Sequence, residues 1–105
     1  MTYRLFIDDI RAPIAEDWLV ARTSSEALGL MANRGCPIEI SFDHDLGGDD
    51  TAMVVVKRMI ELDIDAKGGF IPPAFTFAVH SANPVGRDNI LGLLGQYLAY
   101  RKSEH

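Results

Sequence analysis

Residues 38–45 read IEISFDHD, a short and largely apolar run that stops abruptly at two carboxylates around an imidazole. Two other runs have the same form: residues 5–9 read LFIDD, and residues 75–83 read FTFAVHSAN. Short runs that contain β-branched and aromatic residues are typical of strands buried in a parallel sheet. Because ligands bind beyond the carboxyl ends of such strands, the three polar clusters predict one shared functional site.

The order of these runs along the chain predicts an α/β domain in which a helix follows each strand after the first. Strands are expected at residues 3–7, 18–22, 38–42 and 75–79. Residues 23–26, TSSE, form a capping box that begins the first helix, and Gly35 ends it. One of the two aspartates at 49–50 is expected to cap the second helix, and Asn83-Pro84 to begin the third.

The connection between the first two strands leaves the direction of the second strand open. A parallel crossover usually takes a dozen or more residues, and only Asp9–Asp17 are present here. Extended residues in that number still cover roughly 30 Å, so an abbreviated parallel crossover is one interpretation. An antiparallel edge strand joined by a loop is the other.

Length, composition and charge limit the class of protein. A chain of 105 residues, 48% of them hydrophobic, is long enough for one domain, residues 1–105, with a single core. The net charge of −5 argues against a broad nucleic-acid surface, which is usually basic. No apolar run has the length of a membrane span and no signal peptide is visible, which predicts a cytoplasmic protein without a membrane partner.

Three short carboxylates, Asp8, Asp9 and Asp43, are expected to share one divalent cation. Carboxylate oxygens are the ligands that Mg²⁺ or Mn²⁺ prefers, and such a cation can also take a phosphate oxygen. Without a cation, carboxylates clustered this closely would repel one another. The alternative is that Asp8 and Asp9 only cap and begin a turn.

Two histidines, His44 and His80, follow neighbouring strands, which stand about 4.8 Å apart in a sheet. They are expected to be catalytic together with Asp43, as the general acid and base for a cyclic phosphodiester. They could instead be metal ligands, or one of them a buried, hydrogen-bonded histidine. Asp45 is interpreted as a residue that orients a histidine.

Residues 81–87 open a helix, and helix N-termini bind phosphate through free backbone N–H groups. Ser81, Asn83 and Arg87 are therefore predicted to bind phosphate, and Gly86 to let the ligand approach closely. Arg11 is a further phosphate candidate, and Arg22 joins it if the second strand is parallel. The alternative is a plain helix start with a solvated arginine.

These pieces together resemble a response-regulator receiver domain. Receivers have an acidic pair after the first strand, an aspartate after the third and a hydroxyl residue followed by alanine after the fourth. Asp8-Asp9, Asp43 and Ser81-Ala82 stand at those places. The resemblance implies an α/β three-layer, flavodoxin-like sandwich of four mostly parallel strands in the order 2-1-3-4. The chain departs from receivers in lacking a fifth strand that ends in a lysine, and in its imidazoles.

Three strings are similar to a more divergent family, the cyclic-phosphate-processing receiver domains: LFIDDIR at 5–11, SFDHDLG at 41–47 and HSANPVGR at 80–87. The similarity implies metal-dependent hydrolysis, or recognition, of a cyclic or terminal phosphate on a nucleotide or RNA end. Two alternatives stay open. One is a non-catalytic receiver that acts as a signalling module with a protein partner. The other is a receiver that accepts a phosphoryl group on Asp43, against which the missing lysine argues.

Overall fold

A computed structural model describes residues 2–103, in which four strands and three helices follow one another as β-β-α-β-α-β-α. The strands are β1 (Arg4–Ile7), β2 (Trp18–Ala21), β3 (Glu39–Phe42) and β4 (Thr76–Val79). The helices are α1 (Ser24–Arg34), α2 (Met53–Asp65) and α3 (Pro84–Ser103). None of these three helices is long and apolar enough to cross a membrane.

All strand pairings described are parallel, and the sheet order is β2-β1-β3-β4. The predicted α/β class, strand order and receiver-like topology are therefore confirmed. The antiparallel interpretation of β2 is wrong, because Arg4 pairs with Trp18 and Ile7 with Ala21 in parallel register. Residues 8–17 return the chain to the start of β2 without forming a helix or a strand, which is the abbreviated crossover.

The three helices form one layer, so the predicted third layer is absent from residues 2–103. α2 contacts both α1 and α3, and the buried apolar side chains of sheet and helices form one cluster. The reason is topological, because parallel crossovers are right-handed and those running in opposite directions along a sheet lie on opposite faces. The step from β1 to β2 runs opposite to the later steps, and it contains no helix. The face it crosses is consequently open, with Arg4, Thr76 and Ala78 exposed.

Helix α1 begins and ends as the sequence predicts, whereas α2 does not. Thr23 Oγ1 accepts the Glu26 amide at 3.0 Å, and Gly35, at φ 81°, ends the helix. Helix α2 begins after Ala52 without a side-chain cap, so the predicted Asp49 or Asp50 cap is wrong. The Asp50 carboxylate instead accepts the amide and hydroxyl of Ser24, at 2.8 and 2.6 Å, and stabilises the start of α1.

A buried carboxylate, Asp63, joins α2, α3 and the connection before β4 at the pole opposite the β-strand carboxyl ends. Its Oδ1 accepts the amides of Phe70 and Ile71, and its Oδ2 accepts the Tyr97 hydroxyl and Arg101 Nη1. Burial alone would raise the pKa of Asp63, but these donors hold that pKa below its ordinary value. Burial and the Asp63 carboxylate raise the pKa of Tyr97 to about 12.

Replacing Asp63 should destabilise the fold strongly, and more at neutral than at acid pH. Asp63→Ala leaves the partly buried Arg101 without its carboxylate, which costs about 3 kcal/mol of unfolding free energy. Because the folded pKa of Asp63 lies below the unfolded value of about 3.9, the stabilisation is present above that pH and is lost as the pH falls through the folded pKa. Urea unfolding at several pH values measures the difference.

Asp65→Ala is the matched control, since Asp65 ends the same helix and is exposed. It should change the free energy of unfolding by less than about 0.5 kcal/mol. The difference in unfolding free energy between wild type and Asp63→Ala should shrink as the pH falls. A difference that stays the same down to the most acidic pH would contradict the role given to the ionised carboxylate.

Candidate functional site

The carboxylates of Asp8, Asp9 and Asp43 meet at the carboxyl ends of β1 and β3. These strands are neighbours with Ile7 paired to Phe42, so the residues that follow them lie side by side. One oxygen from each carboxylate lies within 4.8 Å of the others. Three oxygen ligands at this spacing fit a hard divalent cation that keeps several waters. The predicted acidic cluster is therefore present, and its chemistry suits a metal.

Asp8 is the most buried of the three carboxylates, with 1% of its surface exposed. Its Oδ1 accepts the amides of Ile10 and Arg11 at 2.9 and 2.8 Å, and its Oδ2 lies 3.0 Å from His80 Nε2. Burial would raise the pKa of Asp8, but the two amides and the imidazole hold that pKa below its ordinary value. Asp8 is thus ionised at neutral pH, as a metal ligand must be, and it also caps the turn that follows β1.

His80 is packed and hydrogen-bonded on both sides of its ring. The ring stacks on Phe6 with centroids 4.5 Å apart and an interplanar angle of 9°. Nδ1 lies 2.7 Å from Ser41 Oγ, while Nε2 faces Asp8. His80 therefore matches the alternative of a hydrogen-bonded histidine, yet one of its partners belongs to the acidic cluster. Ser41 is not among the predicted site residues, although a lone hydroxyl inside an apolar strand is a signal for such a role.

His44 lies on the opposite face of the sheet from His80. Its ring packs against α3, where a Cβ on Gly86 would stand 2.3 Å from His44 Cγ. The expectation that Gly86 admits a ligand is wrong, because the imidazole occupies that space. His44 Nδ1 is 3.0 Å from Asp45 Oδ1, which is the contact expected of an orienting carboxylate. His80, in contrast, lies against Phe6 and Ser41 on the open face, so the two rings do not face each other.

A cleft of about 470 Å³ opens beside the acidic cluster, and we call it the acidic cleft. Its walls include Asp9, Asp43 and Asp45 together with the phosphate candidates Arg11, Ser81 and Asn83. Arg87 is exposed on α3 and is not among the residues that line the cleft, so its contact with phosphate stays a prediction.

The start of α3 is partly capped by its own residues. Asn83 Oδ1 accepts the Gly86 amide at 3.0 Å, as a predicted N-cap should. Asn83 Nδ2 donates to Asp45 Oδ2 at 3.1 Å, and Ser81 Oγ accepts the Asn83 amide at 3.1 Å. Fewer backbone donors are consequently left for an anion than the sequence predicts, whereas the Ser81 hydroxyl retains its proton for donation.

Arg22 reaches this end of the sheet because β2 is parallel, which was the condition for its candidacy. Its Nη1 donates to the backbone oxygens of Asp8, at 3.1 Å, and Arg11. Both contacts hold the loop after β1 in place. The positive side chain that lines the acidic cleft is that of Arg11, whose backbone Arg22 supports.

A family model described as the cyclic-phosphate processing receiver domain matches residues 3–96. No curated protein and no solved structure is similar enough to the chain to match it. The matched segment begins before β1 and ends within α3, so it includes the acidic cluster, both histidines and every residue of the acidic cleft. The protein therefore belongs to the cyclic-phosphate processing receiver domain family.

Proposed function

We propose that the protein is a metal-dependent phosphoesterase that hydrolyses a cyclic phosphate on a nucleotide or RNA end. The observation that carries the proposal is a set of three carboxylates at metal-ligand spacing, two of which line the same cleft as Ser81 and Arg11. The family description supplies the class of substrate.

Asp8, Asp9 and Asp43 would hold the cation, with Mg²⁺ or Mn²⁺ best suited to ligands that are all oxygen. When bound, the cation would neutralise charge on the phosphate and polarise its phosphorus–oxygen bonds. The three carboxylates repel an anion, so phosphate binding should require the cation. Arg11 and Ser81, which also line the cleft, would then orient the phosphate as a charged and a neutral hydrogen-bond donor.

Each histidine contacts a carboxylate at the site and does not itself line the acidic cleft. His80 bonds to Asp8, and His44 bonds to Asp45. We therefore infer that both act as positioning residues, which fix the direction in which Asp8 and Asp45 present their oxygens. Direct proton transfer by the two rings is the competing interpretation, and it predicts larger losses on substitution.

A module that binds phosphate without chemistry is the second candidate function. It is favoured by the capping of α3 by Asn83 and by the enclosed positions of both imidazoles, which leave few groups free to move a proton. Binding of a 2′,3′-cyclic nucleotide without turnover in any of the cations tested would favour this candidate over the phosphoesterase.

Divalent cations should raise the melting temperature, because they bind the folded state and not the unfolded chain. A cation at 100 times its Kd adds about 2.7 kcal/mol, and each kcal/mol is worth roughly 4–8 °C in a domain of this size. Asp43→Asn should remove the shift, and its metal-free form should melt no lower than wild type because repulsion within the cluster is reduced.

Asp49→Asn is the matched control, since it makes the same charge change at an exposed position between the acidic cleft and α2. It should keep the full cation shift. Melting curves of wild type that are indifferent to Mg²⁺, Mn²⁺ and Zn²⁺ would contradict a metal site at these carboxylates.

Replacement of either histidine should reduce activity moderately. Loss of a residue that orients a metal ligand typically costs about 10–100-fold, so His80→Ala should lower kcat/KM for 2′,3′-cyclic nucleotides by that amount and weaken cation binding. His44→Ala should leave cation binding unchanged, because its carboxylate partner is Asp45. Kinetics and cation titrations on the same preparations separate the two effects. If a ring were instead the general acid or base, its loss should slow turnover by about 10²–10⁴-fold and remove one limb of the pH profile, which loss of a positioning residue should leave in place.

A further inference from the structure

A second cavity, of about 390 Å³, lies on the open face of the sheet, and we call it the apolar pocket. Its floor includes Phe6, Trp18 and Ser41, which stand on the strands of that face. Residues 11–15, from the helix-free crossover, form its other wall, and His80 closes the end nearest the carboxyl ends of the strands. The pocket therefore exists because the crossover covers part of a face that no helix in residues 2–103 covers.

Aromatic rings dominate the floor of the apolar pocket. Phe6 and Trp18 meet edge to face with centroids 6.2 Å apart, and His80 stacks on Phe6. In the opposite wall Ile14 is fully exposed to solvent. Apolar side chains gathered around an open cavity on a protein surface indicate a ligand whose own surface is apolar and, next to aromatic rings, planar.

The apolar pocket and the acidic cleft are neighbours that share residues. Arg11 lines both cavities. His80 lines the apolar pocket, and its Nε2 is 3.0 Å from the Asp8 carboxylate of the acidic cluster. In a ligand whose phosphate lies in the acidic cleft, the atoms next to the phosphate would thus lie beside Arg11 and His80. A planar group farther along the same ligand would contact Phe6 and Trp18. A nucleotide has this arrangement of phosphate, ribose and base.

We propose that the apolar pocket binds the nucleobase of the nucleotide whose phosphate occupies the acidic cleft. This inference rests on the proposed function for the phosphate half of the ligand. The polar side chains of the pocket are few: the Ser41 hydroxyl is already bonded to His80, and Arg11 is shared with the acidic cleft. The pocket therefore binds bases by stacking and not by reading their hydrogen-bonding edges, so purines should bind more tightly than pyrimidines, and adenine about as tightly as guanine.

The experiment compares adenosine 3′-monophosphate, adenosine, and methyl riboside 3-phosphate, which has the same phosphate and sugar without a base. None of the three contains a cyclic phosphate, so each can be titrated in Mg²⁺ without hydrolysis of a cyclic ester. Calorimetry gives the Kd values. Trp18 is the single tryptophan of the chain, so its fluorescence reports directly on the apolar pocket. Adenosine 3′-monophosphate should bind about tenfold more tightly than methyl riboside 3-phosphate. It should also quench the fluorescence of Trp18, which methyl riboside 3-phosphate should leave unchanged.

Two variants test the location. Trp18→Leu removes the indole and should abolish most of the difference in affinity, the advantage that adenosine 3′-monophosphate has over the baseless phosphate. Tyr100→Leu is the matched control, because it makes a similar change at an exposed aromatic residue outside the pocket, and it should keep that advantage. Ala12→Leu adds bulk at an exposed position of the crossover and should lower the affinity for the base even if Trp18→Leu fails to fold.

The outcomes separate the two proposals. Equal affinity for the nucleotide and the baseless phosphate would overturn the nucleobase pocket and leave the proposed phosphoesterase intact. Quenching of Trp18 by adenosine, with no binding of either phosphate, would support the pocket and overturn the phosphate site. The nucleotide could also bind more tightly than the baseless phosphate by the same factor in wild type, Trp18→Leu and Ala12→Leu. That result would place the base elsewhere and overturn the inference.

Discussion

The Asp8 carboxylate and its backbone connect more parts of this protein than any other residue of the site. Its amide donates to Ala21 of β2, its Oδ1 accepts amides of the crossover and its Oδ2 meets His80 after β4. One residue therefore ties together the edges of the sheet and the loop above it. These donors also keep the carboxylate ionised despite its burial. Because the oxygens that hold the structure are also those that would bind the proposed cation, a change at Asp43 separates the two roles more cleanly than a change at Asp8.

The short crossover explains both the open sheet face and the shape of the site. A helix between β1 and β2 would have covered that face and filled the space over Phe6 and Ser41. Residues 8–17 instead cross it as a loop, held at their start by the Asp8 carboxylate and by Arg22. The side chains of residues 11–15 then stand over an aromatic floor without burying it completely. The loss of one helix thus exposes apolar surface that a layered α/β fold normally conceals.

Much of the fold could be predicted because it depends on local pattern and on strand direction. The strand runs, the capping box of α1 and the Asn83 cap are visible within a few residues of sequence. The meeting of Asp8, Asp9 and Asp43 follows from placing parallel strand ends at one edge. The prediction of three layers is wrong because the resemblance to receivers implies a helix on each face of the sheet, whereas the crossover from β1 to β2 contains none. The handedness rule, applied to the same predicted elements, places α1 and α2 on one face. α3 joins that layer through its contacts with α2 and β4.

Other contacts could not be predicted, because their partners are distant in sequence. Asp50 stabilises the start of α1 rather than that of the helix it precedes, since the turn at 46–50 directs its carboxylate to Ser24. The space beside Gly86 belongs to His44, which only the packing of α3 on the loop after β3 reveals. Asp63 resembles any other acidic residue of an amphipathic helix until the folded chain surrounds it with four donors.

The loop after β1 lines both cavities. Asp9 and Arg11 line the acidic cleft, while Arg11 and the residues that follow it line the apolar pocket. The loop is fixed at Asp8 and Arg11 by hydrogen bonds, whereas its later residues are exposed. A cation bound at Asp8 and Asp9 would restrain the fixed end of the loop further, and a base in the apolar pocket would restrain the exposed end. Each ligand would reduce the conformational entropy that the other must remove, so binding at the two cavities should be mutually favourable.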